Sequence, residues 1–199
     1  MKSCIILCGG RGRRMGQDKG ILIYEDKPLL LHTLEAVYPS VDEIILVLRD
    51  QKQLESYSLL LNFFKEKSSF EGELRVCLDL KKDQGPLVGI LTGLSTLKSN
   101  CALVVPCDSP RIKSAFIENM LKFDLGDQGA LVPRWPDGRV EPLHAIYCKD
   151  QALPVLETLL KSKVRDVKSL LKKLNVLYVD AEFMDAEVFM NLNRPGDLE

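Results

Sequence analysis

The chain has 199 residues, 46% of them hydrophobic and 28% charged, the make-up of an ordinary globule with room for one sizeable core. Its 27 basic residues nearly balance 28 acidic ones, and that net charge of −1 argues against a general nucleic-acid coat. No apolar run approaches the roughly 20 residues of a membrane span, and MKSCIIL turns to glycine and arginine without a signal-peptide core, so a cytoplasmic protein acting on neither nucleic acid nor membrane is expected.

In chain order, SCIIL (3–7) is a continuous apolar run, as in a strand buried on both faces. A glycine- and arginine-rich segment follows, and then 28–39 carries apolar residues at helical spacing behind Pro28. Strands at 42–49 and 73–79 flank an amphipathic helix at 51–67. A helix at 84–99 precedes a strand at 101–108 that ends in a carboxylate. A helix at 114–123, a strand at 129–133 and an extended stretch at 140–148 come next; Pro142 suits an edge position there. Helices at 151–162 and 167–174 and a strand at 175–180 complete the pattern. Strands alternating with helices of this length imply βαβ units. The expected fold is α/β, a three-layer Rossmann-like arrangement around a mostly parallel sheet, in one domain over 1–199.

The six cysteines are Cys4, Cys8, Cys77, Cys101, Cys107 and Cys148. None forms a CxxC pair, most sit in apolar runs, and all six read as reduced, packed thiols. With only His32 and His144 beside them, they do not suggest a zinc site.

The segment CGGRGRRMGQDKG (8–20) has the chemistry of an anion cradle. Gly10 and Gly16 are too far apart for a P-loop, and Met15 stands where the dinucleotide fingerprint needs its third glycine. Gly9, Gly10 and Gly12 lack Cβ, so their amides can approach phosphate oxygens, while Arg14 and Lys19 bring positive charge. Asp108 ends an apolar strand, where a carboxylate either binds a metal or caps the next helix.

LCGGRGRRMGQDK resembles the LAGGxSxRMGxDK signature of the molybdenum cofactor guanylyltransferases, within the nucleotide-diphospho-sugar transferase-like group. GPLVGILTGL (85–94), VVPCDSP (104–110) and RDVKSLLKKLNVLYVD with FMNLNRPGDL (165–180, 189–198) are similar to further family segments in order and spacing. The resemblance implies Mg2+-dependent transfer of GMP from GTP to the phosphate of molybdopterin, with molybdoenzymes or cofactor-delivery proteins as onward partners. It implies that Lys19 and Arg14 contact the phosphates, that Asp108 holds the metal, and that the backbone of Leu7, Cys8 and Gly9 lies along guanine. It also places Asp79, otherwise a turn residue, on the nucleotide, and Asn191 and Asn193 near the pterin or metal. Where the family often has a base-reading asparagine, this chain has Leu48 and Arg49, which keeps a cytidylyltransferase or another phosphorylated acceptor as an alternative. A non-catalytic nucleotide-binding relative is the third reading. On the acceptor side stand Arg134, Trp135, Arg139 and His144; the tryptophan either stacks a flat pterin or packs within a turn, and the histidine reads as a packed one.

Overall fold

The computed structural model describes residues 1–9, 18–80 and 85–192. Nine strands and six α-helices are found there. β1 (Ser3–Leu7) leads, across the segment 10–17, to a 3-10 turn at Lys19–Ile21 and a short hairpin of β2 (Ile23–Tyr24) and β3 (Lys27–Pro28). Then come α1 (Leu29–Val37), β4 (Glu43–Leu48), α2 (Gln51–Lys67), β5 (Glu73–Leu78), α3 (Pro86–Thr96) and β6 (Cys101–Pro106). The second half holds α4 (Ser114–Met120), β7 (Ala130–Arg134), β8 (Ala145–Cys148), α5 (Lys149–Lys161), α6 (Val167–Leu171) and β9 (Val176–Asp180).

Seven strands form one sheet in the order β5-β4-β1-β6-β8-β7-β9. The strand period of two sends alternate side chains to opposite faces. Cys4 and Ile6 pack with α1, α2 and α4 on one face, whereas Ile5 and Leu7 pack with α3, α5 and α6 on the other. The result is three layers around the sheet, as the alternation of segments predicts. β1 pairs in parallel with β4 on one side and β6 on the other. The chain therefore steps outward from β1 through β4 to β5, then returns to place β6 on the other flank of β1. Strand order reverses between β1 and β6, and parallel sheets of this kind bind ligands at the carboxyl ends beside such a point.

Two expectations need correction. The stretch 140–148 is extended as a strand only at Ala145–Cys148, and it lies inside the sheet, antiparallel to both β6 and β7. Pro142 precedes the strand, so its missing N–H costs the ladder nothing; its carbonyl accepts from Tyr147 Oη at 2.7 Å. Nor are all six cysteines thiols: Cys101 and Cys148 form a disulfide. A sequence separation of 47 hides the reason, which is that β8 runs back along β6 and sets these two residues opposite each other in register. Cys4, Cys8, Cys77 and Cys107 are free thiols, and burial pushes those of Cys4 and Cys8 well above the usual range.

Candidate active site

The site is assembled from strand ends. Leu7 and Pro106 are level in the register, and the carbonyl of Leu7 accepts from the amide of Cys107 at 3.1 Å. Cys8 N–H continues the ladder to the Val47 carbonyl (2.9 Å), and Asp79 N–H to that of Leu48 (2.7 Å). These bonds make a shelf of backbone at the carboxyl edge, on which Gly9 is exposed while Leu7 and Cys8 are buried. Gly10, Gly12 and Arg14 lie outside the described residues, as does Asn193. The chain returns at Asp18, which enters the 3-10 turn carrying Lys19.

Lys19 Nζ meets Asp108 Oδ2 at 2.5 Å, with the two side chains 24% and 14% exposed. The lysine of the glycine segment and the carboxylate after β6 thus share one sheltered spot beside the reversal of strand order. β6 ends at Pro106, two residues before Asp108. The alternative role of Asp108 as a helix cap fails, because α4 begins at Ser114 behind Lys113.

Asp79 follows β5 on the same edge. Its Oδ2 lies 3.2 Å from the position a Cβ on Gly9 would take, so only glycine leaves the carboxylate its present room. Its Oδ1 has no hydrogen-bond partner among the described residues, and burial lifts its pKa from 3.8 to about 6. Of the two residues that replace the expected asparagine, Leu48 is buried in the core and cannot reach a ligand. Arg49 stands at the rim, its Nε 3.3 Å from Asp50 Oδ2 and its Nη2 3.5 Å from Asp18 Oδ2.

A third group joins the closing segment to Asp108. Leu192 N–H donates to the Asp108 carbonyl at 3.0 Å. Ser109, fully buried, donates from Oγ to Asn191 Oδ1 at 2.5 Å and lies 3.0 Å from His144 Nε2. His144 is 1% exposed, and burial holds its pKa down at about 4, so the imidazole is neutral near pH 7. Phe189 packs edge-on against His144, Phe116 and Trp135. Trp135 donates from Nε1 to Glu141 at 2.7 Å, and Arg139 lies over its ring. Arg134 reaches the other way, over the ring of Tyr178 on β9. The packed reading of His144 holds, with the added finding that it bonds Ser109.

Four residues that pattern reading passed over belong to this region: Asp18, Gln53, Tyr57 and Ser109. Ser109 adjoins the PCD stretch, a signal that was available. Gln53 and Tyr57 are two polar positions on the buried face of α2, and only their burial marks them.

The family model for the MobA-like NTP transferase domain matches residues 4–179. The chain belongs to this family. It is 34% identical over its whole length to a probable molybdenum cofactor guanylyltransferase of Methanothermobacter thermautotrophicus, covering 98% of that protein. It is 30% identical to the molybdenum cofactor guanylyltransferase of Aliivibrio salmonicida, over 98% of this chain and 92% of that one. Among solved structures it resembles molybdopterin-guanine dinucleotide biosynthesis protein A of Archaeoglobus fulgidus, with a TM-score of 0.80 at 28% identity, over 98% of this chain and 94% of that one. A 4-diphosphocytidyl-2C-methyl-D-erythritol synthase from Anaerococcus prevotii (TM-score 0.72, 19% identity, 100% and 92% covered) shares the fold.

For a MobA-like transferase the donor set at Asp108 is informative. Among the described residues no three His, Cys, Asp or Glu side chains gather as a metal cage. Magnesium commonly takes one or two carboxylates and draws its remaining oxygens from phosphates and water. A single hard carboxylate beside a lysine fits a metal that arrives on a triphosphate.

Proposed function

We propose that the protein transfers GMP from GTP to the terminal phosphate of molybdopterin, releasing pyrophosphate, as the names of its relatives suggest. The observation that carries this reading is the Lys19–Asp108 pair at the carboxyl edge, beside the glycine-rich segment. An oxygen of the acceptor phosphate attacks the α-phosphorus of GTP. The bond from that phosphorus to the α–β bridging oxygen breaks, and pyrophosphate leaves with the electron pair. The attacking oxygen is already anionic, so the protein needs no nucleophile of its own. Its work is to align the two phosphates and neutralise their charge.

Lys19, with Arg14, balances charge on the β- and γ-phosphates, and the backbone of Leu7–Gly12 cradles them and the base. Asp108 would hold Mg2+, which supplies further positive charge to the phosphates when bound. The Asp79 carboxylate, whose Oδ2 lies against the Gly9 backbone, supports guanine as the base. Guanine presents two adjacent N–H donors on its pairing edge, and a carboxylate, which only accepts, complements both. Cytosine offers one donor next to an acceptor. Acceptor binding is assigned to Asn191, oriented by Ser109, and to Asn193. The reaction is proposed to run in the cytoplasm, where GTP is at hand, and the product would pass to a molybdoenzyme or a delivery protein.

A cytidylyltransferase is the second reading, favoured by Arg49 at the rim where an amide is usual. A purely nucleotide-binding relative fits less well, because a triphosphate-binding lysine and a metal-binding carboxylate are both present and paired. Thermal melts with each of the four nucleoside triphosphates and magnesium discriminate among bases. GTP should raise the melting temperature most. A larger rise with CTP would move the assignment to cytidylyl transfer, and no rise with any triphosphate would contradict the proposal.

A further inference from the structure

Gln53 and Tyr57 stand one turn apart on the same face of α2, 2% and 0% exposed. An amide and a phenol are costly to bury unless their hydrogen bonds are made. Those bonds lead to the nucleotide edge. Gln53 Nε2 donates to the Cys8 carbonyl at 2.8 Å and to Asp18 Oδ2 at 2.7 Å. Its Oε1 accepts from the Arg49 amide at 2.6 Å. The amide's two hydrogens and its carbonyl thus each have a close partner. Tyr57 Oη donates to the other oxygen of Asp18 and lies 3.2 Å from Gln53 Nε2.

The partners are the two ends of one segment. Cys8 is where the glycine- and arginine-rich stretch leaves β1, and Asp18 is where it rejoins the described fold, next to Lys19. The Asp18 carboxylate also accepts from the Gly20 amide, inside the turn that carries Lys19. Gly20 rests on Tyr57: a Cβ there would come within 2.3 Å of the phenol oxygen. A leucine and a phenylalanine of similar size would fill the same space, but Cys8, Arg49 and Asp18 would lose these partners.

We propose that Gln53 and Tyr57 are positioning residues. They clamp both ends of the anion-binding segment and, through Asp18, aim Lys19 at the site it shares with Asp108. Holding the segment before the ligand arrives reduces the ordering cost of binding. This deepens the nucleotidyl-transfer reading and rests on it for its kinetic consequence, though not for the clamp itself.

Two measurements test it. The first uses no nucleotide: hydrogen exchange of the wild type, Gln53→Leu and Tyr57→Phe. Peptides spanning residues 7–22 should exchange about tenfold faster in Gln53→Leu, with a smaller rise in Tyr57→Phe, while peptides from β6 and α5 stay unchanged. Unchanged exchange across 7–22 would overturn the clamp, whatever the substrate proves to be. The second is a cycle with Lys19→Ala, read as pyrophosphate release. Tyr57→Phe should raise the KM for GTP by about tenfold with kcat within about twofold, and should change it by less than about twofold in the Lys19→Ala background. Equal effects of Tyr57→Phe in both backgrounds would show a merely structural role and overturn positioning through Lys19.

Discussion

Asp79 carries the finest chemical information in the site. The protonated acid is the form its folded environment favours, since burial raises its pKa from 3.8 to about 6. The stability that comes from holding this proton is complete below about pH 3.8 and is lost as pH rises through about 6. Asp79→Asn, neutral throughout, should melt higher than the wild type near pH 8 and alongside it near pH 4. Binding should move the other way. Only the ionised carboxylate accepts both guanine donors, so wild-type affinity for GTP should fall as pH drops below about 6, whereas that of the variant should be weak and flat. A wild-type affinity independent of pH between about 5 and 8, measured calorimetrically, would remove Asp79 from the base contact. From the sequence, a carboxylate at a strand end marked Asp108, whereas Asp79 was marked only by the resemblance to the family. What the sequence did not reveal is which neighbour each one meets. The pairing of Lys19 with Asp108 depends on β1 and β6 lying side by side.

At the scale of elements, the closing segment is held by side chains from the β6–α4 connection. Ser109 bonds Asn191, Arg111 pairs with Glu187 at 3.1 Å, and Lys113 pairs with Asp185. The last two pairs are largely exposed and stabilise little. Ser109 is buried, and Ser109→Ala would strand His144 Nε2 and loosen Asn191. That should cost about 1–3 kcal/mol in denaturant melts and speed exchange across 185–192. An unchanged midpoint would show that Phe189 packing alone seats the segment. The long periodic elements were legible in the sequence. β1, β4 and β6 read as apolar runs because both faces are buried, and α2 matched its expected bounds of 51–67, with Asp50 capping the Gln53 amide at 3.0 Å. β8 was harder. It is short, follows an irregular stretch and owes its place to two neighbours distant in sequence, so its interior position and the Cys101–Cys148 bond had no local signal. The buried pair on α2 was masked for a similar reason, since a glutamine and a tyrosine within an amphipathic helix do not announce a partner segment.

Across the whole molecule, the sheet divides the work. Its two faces carry apolar cores, and its carboxyl edge carries the ionisable groups of the site. The proposal of a single domain rests on that continuous sheet, which joins β5-β4-β1-β6 to β8-β7-β9. Strand order reverses between β1 and β6, the kind of point at which parallel sheets bind ligands, and Lys19 and Asp108 meet at that edge. The central claim is that this edge grips a triphosphate through Lys19 and Asp108. It is tested most directly by pyrophosphate release from GTP and molybdopterin with magnesium, comparing the wild type with Asp108→Ala. The account predicts steady release by the wild type and a loss of at least about a hundredfold in the variant, with its melting temperature little changed. Release by Asp108→Ala at the wild-type rate would contradict it.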